Sequence, residues 1–399
     1  MKKALASLLL LAFSLMWVNM FAQSMQLVPL GETNIVLQKE TMTINRIDNH
    51  IQVTTDYEFF NPSEAKTQIV CYESDPPDMR DNYDLNQLYR DNPQLRNFKV
   101  VVNGKMLPYE VAHVTYQFDE DYQRTKGEYY SNGRFHDMTR KECEEALKDD
   151  ELTVGGMYSP FYYVYHFNVH FNKGKNVIRH TCEFDLFHWI SSVEKEFSFA
   201  CYLTDARRWA NKGIDDFTIE MDLGDRESFM IQPYFFKDAK EWTINGKGKM
   251  TIEEEWGFAE QSGSPVFHMQ EGRITYKKKN FHPEGALVVM KRRFDMSEYN
   301  SDLGEHECFE ADFLLDIFKK QYFRLSVGKL GYTGNTTFTA EQKRVLRNLP
   351  FAYRGHVFKD AGLRQYFEST NWYIPNPGYV DNLDELSKNE KEWVQFWSK

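Results

Sequence analysis

The chain has 399 residues, of which 42% are hydrophobic and 27% charged, a balance that excludes a disordered protein and allows two or three domains. Its net charge of −11 excludes nucleic acid and anionic membrane surfaces as main partners, because both repel an acidic protein. The aromatic content of 16% fits aromatic-packed β-sheets better than surfaces that stack on sugars.

The first 22 residues have the layout of a secretory signal peptide. Lys2 and Lys3 precede an apolar run that reaches about Val18, and the small residue Ala22 follows. The run is shorter than the ~20 residues that a membrane-spanning helix needs, so we expect cleavage near Ala22 rather than a retained anchor. The sequence therefore predicts export to the periplasm or the cell surface, with no transmembrane segment in the mature chain.

Residues 23–300 are predicted to form antiparallel β-structure. Apolar and polar residues alternate from Ile51 to Phe59, which indicates a half-buried strand. Asn103-Gly104 is a strong hairpin signal, and Asn245-Gly246 repeats it. Further strands are expected at 160–171, 175–186, 196–203, 216–222, 228–236, 273–278 and 285–293. Short strands separated by turn signals are typical of one or two β-sandwiches.

Helices are expected at three places before the C-terminal region. Residues 84–90 are a weak candidate, and Thr139 with Glu142 forms a capping box. Residues 301–338 are predicted to hold a helix and a Gly-rich linker, since Leu314, Ile317 and Phe318 share one helical face.

Residues 339–399 are predicted to form a small helical module. Thr339 and Gln342 form a capping box for its first helix, which Pro350 should end or restart. A second helix is expected from Ala361 to Phe367, and Ser387 should cap a last one. The fold class is therefore mainly β, with antiparallel β-sandwich regions followed by an α-helical C-terminal module.

This module resembles the YARHG domain from about Thr339 to Trp397. The matching positions are Phe351-Ala352-Tyr353-Arg354-Gly355, Leu363, Tyr366-Phe367 and Trp372-Tyr373-x-Pro375. The chain departs from the family pentad, with Tyr353 in place of its arginine and Arg354 in place of its histidine. The resemblance implies an extracellular, cell-wall-associated protein and attaches no reaction to it.

The β-region bears a weaker resemblance to an uncharacterised class of exported bacterial β-proteins. The matching residues are Phe60-Asn61, Tyr202-Leu203-Thr204 and Trp209. This resemblance implies a β-sandwich scaffold and no activity.

The module also holds the candidate ligand-binding residues. Gly355 is expected to cap the first helix, and the neighbouring aromatic rings suffice for a small core. The polar residues form either a recognition surface or caps for helix carbonyls. The candidate ligand-binding residues are Arg347, Tyr353, Arg354, His356, Trp372 and Tyr373.

Of the five cysteines, one pair has a geometric argument for a disulfide. A hairpin centred between Ser191 and Ser192 would place Cys182 opposite Cys201, Phe184 opposite Phe199 and Leu186 opposite Phe197. Export permits disulfides, so we expect a Cys182–Cys201 bridge; the alternative is two buried free thiols.

The sequence carries no local catalytic or metal-binding motif. His166 and His170 share a strand face, but four residues of strand span about 13 Å, too far for both to ligate one zinc ion. We therefore expect no metal and no cofactor. The sequence favours a non-catalytic envelope protein that binds peptidoglycan, another glycan or an envelope protein. The alternative is a glycan or peptide hydrolase, because glycosidase carboxylates leave no local signature.

Overall fold

The fold is known from a computed structural model. It describes residues 22–48, 50–74, 83–115, 135–149, 159–185, 197–253, 263–291, 296–300, 307–315, 321–328, 339–370, 372–386 and 388–398, together with residues 77, 79, 117–118, 124–125, 153 and 187–188. The predicted signal peptide lies outside the described residues apart from Ala22. No helix among these described ranges is long and apolar enough to cross a membrane.

A thirteen-stranded sheet forms most of the protein. Its strands in chain order are β1 (Ala22–Ser24), β3 (Val36–Ile47), β4 (His50–Asn61), β6 (Leu95–Val102), β7 (Lys105–Leu107), β12 (Gly174–Asp185), β13 (Phe187–His188), β14 (Phe197–Tyr202), β15 (Ile214–Asp222), β16 (Ser228–Ile231), β17 (Trp242–Glu253), β18 (Ser264–Phe281) and β19 (Ala286–Lys291). The main path runs β1-β14-β19-β16-β18-β15-β3-β4-β12-β6-β7, and β13 and β17 join β14 and β18.

A four-stranded sheet covers part of the large one. It contains β2 (Leu27–Pro29), β5 (Lys66–Ser74), β8 (Glu110–Thr115) and β11 (Phe161–Phe171), in the order β2-β5-β11-β8. Rings from the two sheets meet between them: the centroids of Tyr72 and Phe98 are 5.0 Å apart, and those of Phe59 and Phe171 are 5.8 Å apart. A β-sandwich core therefore lies between the sheets, as predicted. β9 (Gln117–Phe118) and β10 (Arg124–Thr125) form a separate two-stranded ribbon.

The alternation in β4 produces the expected two faces. Ile51, Val53, Tyr57 and Phe59 are at most 1% exposed, as is Thr55 on the same face, and the polar residues of the other face are half-buried. Burial of one face in a period-two pattern fixes which residues point into the sandwich.

The two Asn-Gly pairs have different structures. Asn103 and Gly104 both have positive φ and join β6 to β7 in the predicted hairpin. Asn245-Gly246 is not a turn, because it lies inside β17 and pairs with Arg273 and Gly272 of β18. The hairpin prediction at this second site is wrong: the dipeptide fits a place where two backbones approach closely as well as it fits a turn.

The facing glycines Gly246 and Gly272 mark a change of neighbour along β18. Before this point β18 pairs with β16, and after it with β15. Both glycines have positive φ, and a Cβ added to Gly272 would lie 2.9 Å from the Gly246 Cα and closer still to the Asn245 carbonyl oxygen. Only glycine fits at this close approach of two neighbouring strands.

We call the thirteen-stranded and four-stranded sheets together the β-body. We expect Gly272→Ala to destabilise the β-body by about 2–3 kcal/mol, since it adds a backbone clash to the cost of positive φ. Gly104→Ala is the matched control, because Gly104 also has positive φ but has no atom near its added Cβ; it should cost only about 1 kcal/mol. Urea unfolding of both variants measures the difference. Equal losses would contradict the close-approach argument.

The expected Cys182–Cys201 hairpin does not form. β12 is hydrogen-bonded on one edge to β4 and on the other to β6, so it has no free edge for β14. β14 pairs instead with β19, and its short hairpin with β13 places Phe197 opposite His188 rather than Leu186.

Cys182 and Cys201 are therefore separate buried thiols. Cys182 lies opposite Val53 and Cys201 opposite Leu287, and both are free. The disulfide prediction is wrong in this structure, although Phe184 and Phe199 do come near each other, with ring centroids 6.3 Å apart. Burial raises the pKa of the Cys182 thiol to about 12 and also that of Cys201, which keeps both protonated and unreactive.

Two strand pairs in the large sheet are parallel, so the β-region is not purely antiparallel. β3 pairs with β15, and β1 with β14, in the parallel sense. Parallel neighbours need long crossover connections, and the sequence pattern does not reveal which distant strands these connections bring together.

The predicted helix before the C-terminal module is also wrong. β20 (Met296–Asn300), β21 (Glu307–Leu315) and β22 (Gln321–Gly328) form a three-stranded antiparallel sheet. In β21 the sequence Phe309-Glu310-Ala311-Asp312-Phe313 alternates apolar and acidic residues. This period-two alternation is less obvious in the sequence than the helical spacing of Leu314, Ile317 and Phe318. Ile317 and Phe318 lie outside the described residues.

The described α-helices are α1 (Leu85–Leu88), α2 (Arg140–Ala146), α3 (Ala340–Tyr353), α4 (Ala361–Glu368) and α5 (Lys388–Phe396), and Thr204–Arg208, Ala239–Glu241 and Leu383–Glu385 are short 3-10 helices. The predicted capping boxes of α2 and α3 are both present. Pro350 does not end α3, which continues to Tyr353. Only the last turn follows it, so the missing amide donor costs a single bond near the helix end. The fold class, mainly β with an α-helical C-terminal module, is confirmed.

Candidate functional site

The helical module has its own hydrophobic core, built from α3, α4 and α5. Trp393 of α5 is fully buried, and its indole Nε1 donates a 2.7 Å hydrogen bond to the Leu346 carbonyl oxygen in α3. Phe358 stacks on Phe367 of α4, with ring centroids 4.8 Å apart. The aromatic rings of this part of the chain thus form mainly the small core that the sequence suggested.

The end of α3 is a Schellman motif centred on Gly355. The amide of His356 donates to the Phe351 carbonyl at 3.0 Å, and the amide of Gly355 donates to the Ala352 carbonyl at 2.9 Å. Gly355 has φ +80°, and a Cβ there would lie 2.7 Å from both the Ile374 carbonyl oxygen and the Asn376 Cβ. The glycine allows both the left-handed turn and the close passage of residues 374–376.

We expect Gly355→Ala to lower the stability of the module by about 2 kcal/mol, through positive φ and contact with residues 374–376. Gly378→Ala, at an exposed position with ordinary φ and no close contact for the added Cβ, should change it by less than about 0.5 kcal/mol. Thermal unfolding followed by tryptophan fluorescence compares them. A Gly355→Ala melting curve that overlays the wild-type curve would refute the capping role.

Arg354 is held in the most extensive polar contact of the module. Its Nη1 and Nη2 donate to the two carboxylate oxygens of Glu390 at 2.7 and 2.8 Å, and both side chains are 10% exposed. The same guanidinium donates to the carbonyl oxygens of Pro350 at 2.8 Å and Glu385 at 3.3 Å. Arg354 therefore ties the end of α3 to the start of α5.

The other candidate residues around the turn are also occupied by contacts within the module. Tyr353 stacks on Trp372 with ring centroids 4.7 Å apart, and Trp372 is 8% exposed. The Tyr373 hydroxyl donates to the His356 carbonyl at 2.7 Å, while the His356 imidazole forms an ion pair with Asp381. The structure thus brings these residues together around the Gly355 turn.

Arg347 is the exception among the six candidates. It is half-buried on α3, and its side chain makes no hydrogen bond or salt bridge with any residue that the structure describes. Its role in ligand binding stays a prediction. The other five make contacts within the module, and their role in ligand binding likewise stays a prediction.

The module also touches the β-body through two helix ends. Gln270 of β18 donates to the carbonyl oxygen of Tyr353, the last residue of α3, at 2.9 Å. Lys249 of β17 donates to the Thr370 carbonyl oxygen just after α4, at 3.0 Å. A cation and a donor at helix C-termini are favoured by the exposed carbonyls there. Partial burial lowers the pKa of Lys249.

Glu40, His180 and His268 are among the titratable side chains that are buried inside the β-body. Glu40 accepts hydrogen bonds from Gln26 at 3.0 Å on both oxygens, and burial, opposed by that hydrogen bond and reinforced by Asp205, raises its pKa to about 8. His180 is packed among Tyr57, Tyr72 and Phe98, and burial lowers its pKa to about 3. His268 bonds to Ser228 at 2.9 Å, and burial lowers its pKa to about 3.

The buried side chains of Glu40, His180 and His268 do not form a metal centre, and neither do the two histidines of β11. His166 lies near Glu110, and His170 lies near Thr67. Within the described ranges, no group of three or more His, Cys, Asp or Glu side chains is arranged to hold a metal ion.

An exposed loop beside the Gly355 turn was not predicted from the sequence. Residues 377–386 contain Val380 and Leu383, exposed by 78% and 58%, together with Asp381, Asp384 and Glu385. The sequence signal was the mixture of aliphatic and acidic residues outside any periodic pattern, which by itself is typical of many solvated loops.

Residues 333–399 match the family model of the YARHG domain, which confirms the resemblance of the C-terminal module. No curated protein matches the chain. A crystal structure from Legionella pneumophila, provisionally described as a nutrient-binding protein, is 14% identical, covers 94% of this chain and 97% of its own, and has a TM-score of 0.47. An M1 zinc metallopeptidase from Deinococcus radiodurans is 10% identical, with 80% of this chain and 53% of its own covered and a TM-score of 0.26.

Proposed function

We propose that the chain is an exported, non-catalytic envelope protein. In this proposal the β-body is a scaffold, and the C-terminal module contacts cell-wall glycan or a protein partner. The leader-like N-terminus and a domain typical of exported proteins support the location.

The observation that carries the binding role is that the buried acidic side chains are engaged within the fold. The three buried acidic side chains of the described residues each have a structural partner: Glu390 pairs with Arg354, Glu73 with Arg208 at 2.7 Å, and Glu40 with Gln26. A carboxylate-based glycan or peptide hydrolase needs two carboxylates that face the substrate, one of them free to give up or take a proton. Buried acids that are each engaged within the fold support scaffold and binding roles over hydrolysis.

Two measurements test this proposal. Cell fractionation followed by intact-mass analysis should find the chain in the envelope, starting near Gln23. Purified peptidoglycan and envelope extract, each immobilised, should then retain the full mature chain and release it with increasing salt.

A matched variant that ends before Thr339 identifies the part that binds. Its folding is checked first by circular dichroism, since the module and the β-body have separate hydrophobic cores. We expect the shortened chain to lose retention. Cytosolic material with its first methionine intact, or turnover of glycan or peptide substrates by the full chain, would overturn the proposal.

A further inference from the structure

The module presents a group of exposed aliphatic side chains beside the Gly355 turn. Val357, Val380 and Leu383 are exposed by 41%, 78% and 58%, and they are the large exposed apolar residues of the described module. The ion pair between His356 and Asp381 brings the chain at Val357 next to the chain at Val380. We call Val357, Val380, Asp381, Leu383, Asp384 and Glu385 the acidic–aliphatic patch.

The patch is held in place by hydrogen bonds on both sides. The Asn376 amide donates to the Gly355 carbonyl at 2.7 Å, and the Asp384 amide donates to the Asn382 side chain at 2.9 Å. Arg354 holds the Glu385 carbonyl, and Leu386 is buried, which anchors the far end of the loop. A loop that is already ordered loses little conformational entropy on binding, so exposed aliphatic side chains on it are effective anchors.

The charge of the patch selects the kind of partner. Asp381, Asp384 and Glu385 lie within five residues, and Asp384 and Glu385 make no salt bridge with any residue in the described part of the chain. A cationic side chain would be attracted, and an anionic one repelled, in a protein whose net charge is already −11.

Two other occupants fit less well. Glycans are recognised by exposed aromatic faces, but Trp372, Trp393 and Trp397 of this module are at most 8% exposed. A second copy would place the same carboxylates against each other across a two-fold interface, which is unfavourable.

We propose that the acidic–aliphatic patch docks a segment of another protein in which Lys or Arg side chains flank an aliphatic or aromatic residue. The apolar residue packs against Val380 and Leu383, and the cations pair with Asp384 and Glu385. This inference rests on the proposed binding role and narrows it to a protein partner with that chemistry.

The test is a selection from a random dodecapeptide display library on the immobilised full mature chain, with counter-selection on the Val380→Ser/Leu383→Ser variant. We expect peptides with Lys or Arg beside apolar residues to be enriched. A synthetic copy of the leading peptide should bind the wild-type chain, and its Kd should weaken about tenfold or more for the double-serine variant. Asp384→Asn/Glu385→Gln should weaken it several-fold and reduce its dependence on salt.

The control variant is Met106→Ser/Val177→Ser, which removes two aliphatic residues of the β-body that are 66% and 45% exposed. Its Kd should equal that of the wild type, and all variants should melt at the wild-type temperature. The proposal is overturned if no enriched peptide distinguishes the double-serine variant, if the enriched peptides lack positive charge, or if that variant instead dissociates an oligomer. The proposed function is tested independently of the peptide selection. It is overturned if the wild-type chain is neither exported nor retained by envelope material, even where a peptide binds the patch.

Discussion

Replacing Arg354 by alanine is expected to destabilise the helical module by about 3–5 kcal/mol, which is a large loss for a single substitution. The change removes two charge-assisted hydrogen bonds and leaves Glu390, which is 10% exposed, without its cation. An unpaired charge at such burial costs more than the pair contributes, because water no longer reaches it well.

Two further variants distinguish the effect of losing the Arg354–Glu390 ion pair from the effect of losing side-chain packing. Arg354→Lys keeps the positive charge but cannot form two parallel bonds, so we expect its stability to lie between those of wild type and Arg354→Ala. The double variant Arg354→Met/Glu390→Met removes both charges and should recover most of the stability. Near-ultraviolet circular dichroism and tryptophan fluorescence follow the unfolding, with Trp372, Trp393 and Trp397 in the module and Trp209 and Trp242 in the β-body.

Equal melting curves for wild type and Arg354→Ala would show that the ion pair is not needed. A double variant as unstable as Arg354→Ala would show that the side-chain packing, rather than the buried charge, is what matters.

The second large effect concerns pH. Glu40 has a pKa of about 8 in the folded chain and of about 4.5 when exposed. Between these two pH values its side chain is therefore protonated in the folded chain and ionised in the unfolded chain. Its contribution to stability is complete below pH 4.5 and is lost as the pH rises from 4.5 to 8. A shift of this size corresponds to a loss of about 5 kcal/mol at most.

Buried histidines act in the opposite direction. His180 and His268 have pKa values of about 3 in the fold and of about 6.5 when exposed, so their contributions are complete above pH 6.5 and are lost towards pH 3. Between pH 4.5 and 6.5, the stability that the two histidines add as the pH rises exceeds the stability that Glu40 loses. Above pH 6.5, Glu40 is the one of these three groups that still changes the stability. Together they predict maximal stability of the β-body near pH 6.5.

Glu40→Gln isolates the alkaline effect. The variant should match the wild type near pH 4.5 and exceed its stability at about pH 8.5, because a neutral amide replaces a carboxyl that must otherwise ionise in the core. The exposed Glu284→Gln is the charge-matched control and should leave the pH profile unchanged. Urea unfolding at several pH values measures this, and a wild-type stability that stays level from about pH 6.5 to 8.5 would refute the argument.

The sequence placed the candidate ligand-binding residues in the C-terminal module, and their role in ligand binding stays a prediction. The spacing of the YARHG-like residues located the turn at Gly355, and its glycine cap is present as predicted. The sequence does not reveal that Arg354 meets Glu390, because that contact joins the end of α3 to α5, and α4 and the loop of residues 374–386 lie between them in the chain. The acidic–aliphatic patch was missed for the same reason, since its exposure depends on how this loop folds back on the Gly355 turn.

The amino-acid sequence by itself determined the strand faces of β4, the Asn103-Gly104 hairpin, the capping boxes of α2 and α3, and the helical character of the chain from Thr339 onwards. Each of these depends on residues two to four positions apart, where backbone geometry and side-chain period decide the outcome. Only the tertiary structure decided that β12 has both edges occupied, that Cys182 and Cys201 stay apart, and that Glu307–Leu315 and Gln321–Gly328 are strands. Those outcomes depend on which distant strands and helices meet, and this is set by the burial of whole faces rather than by local spacing.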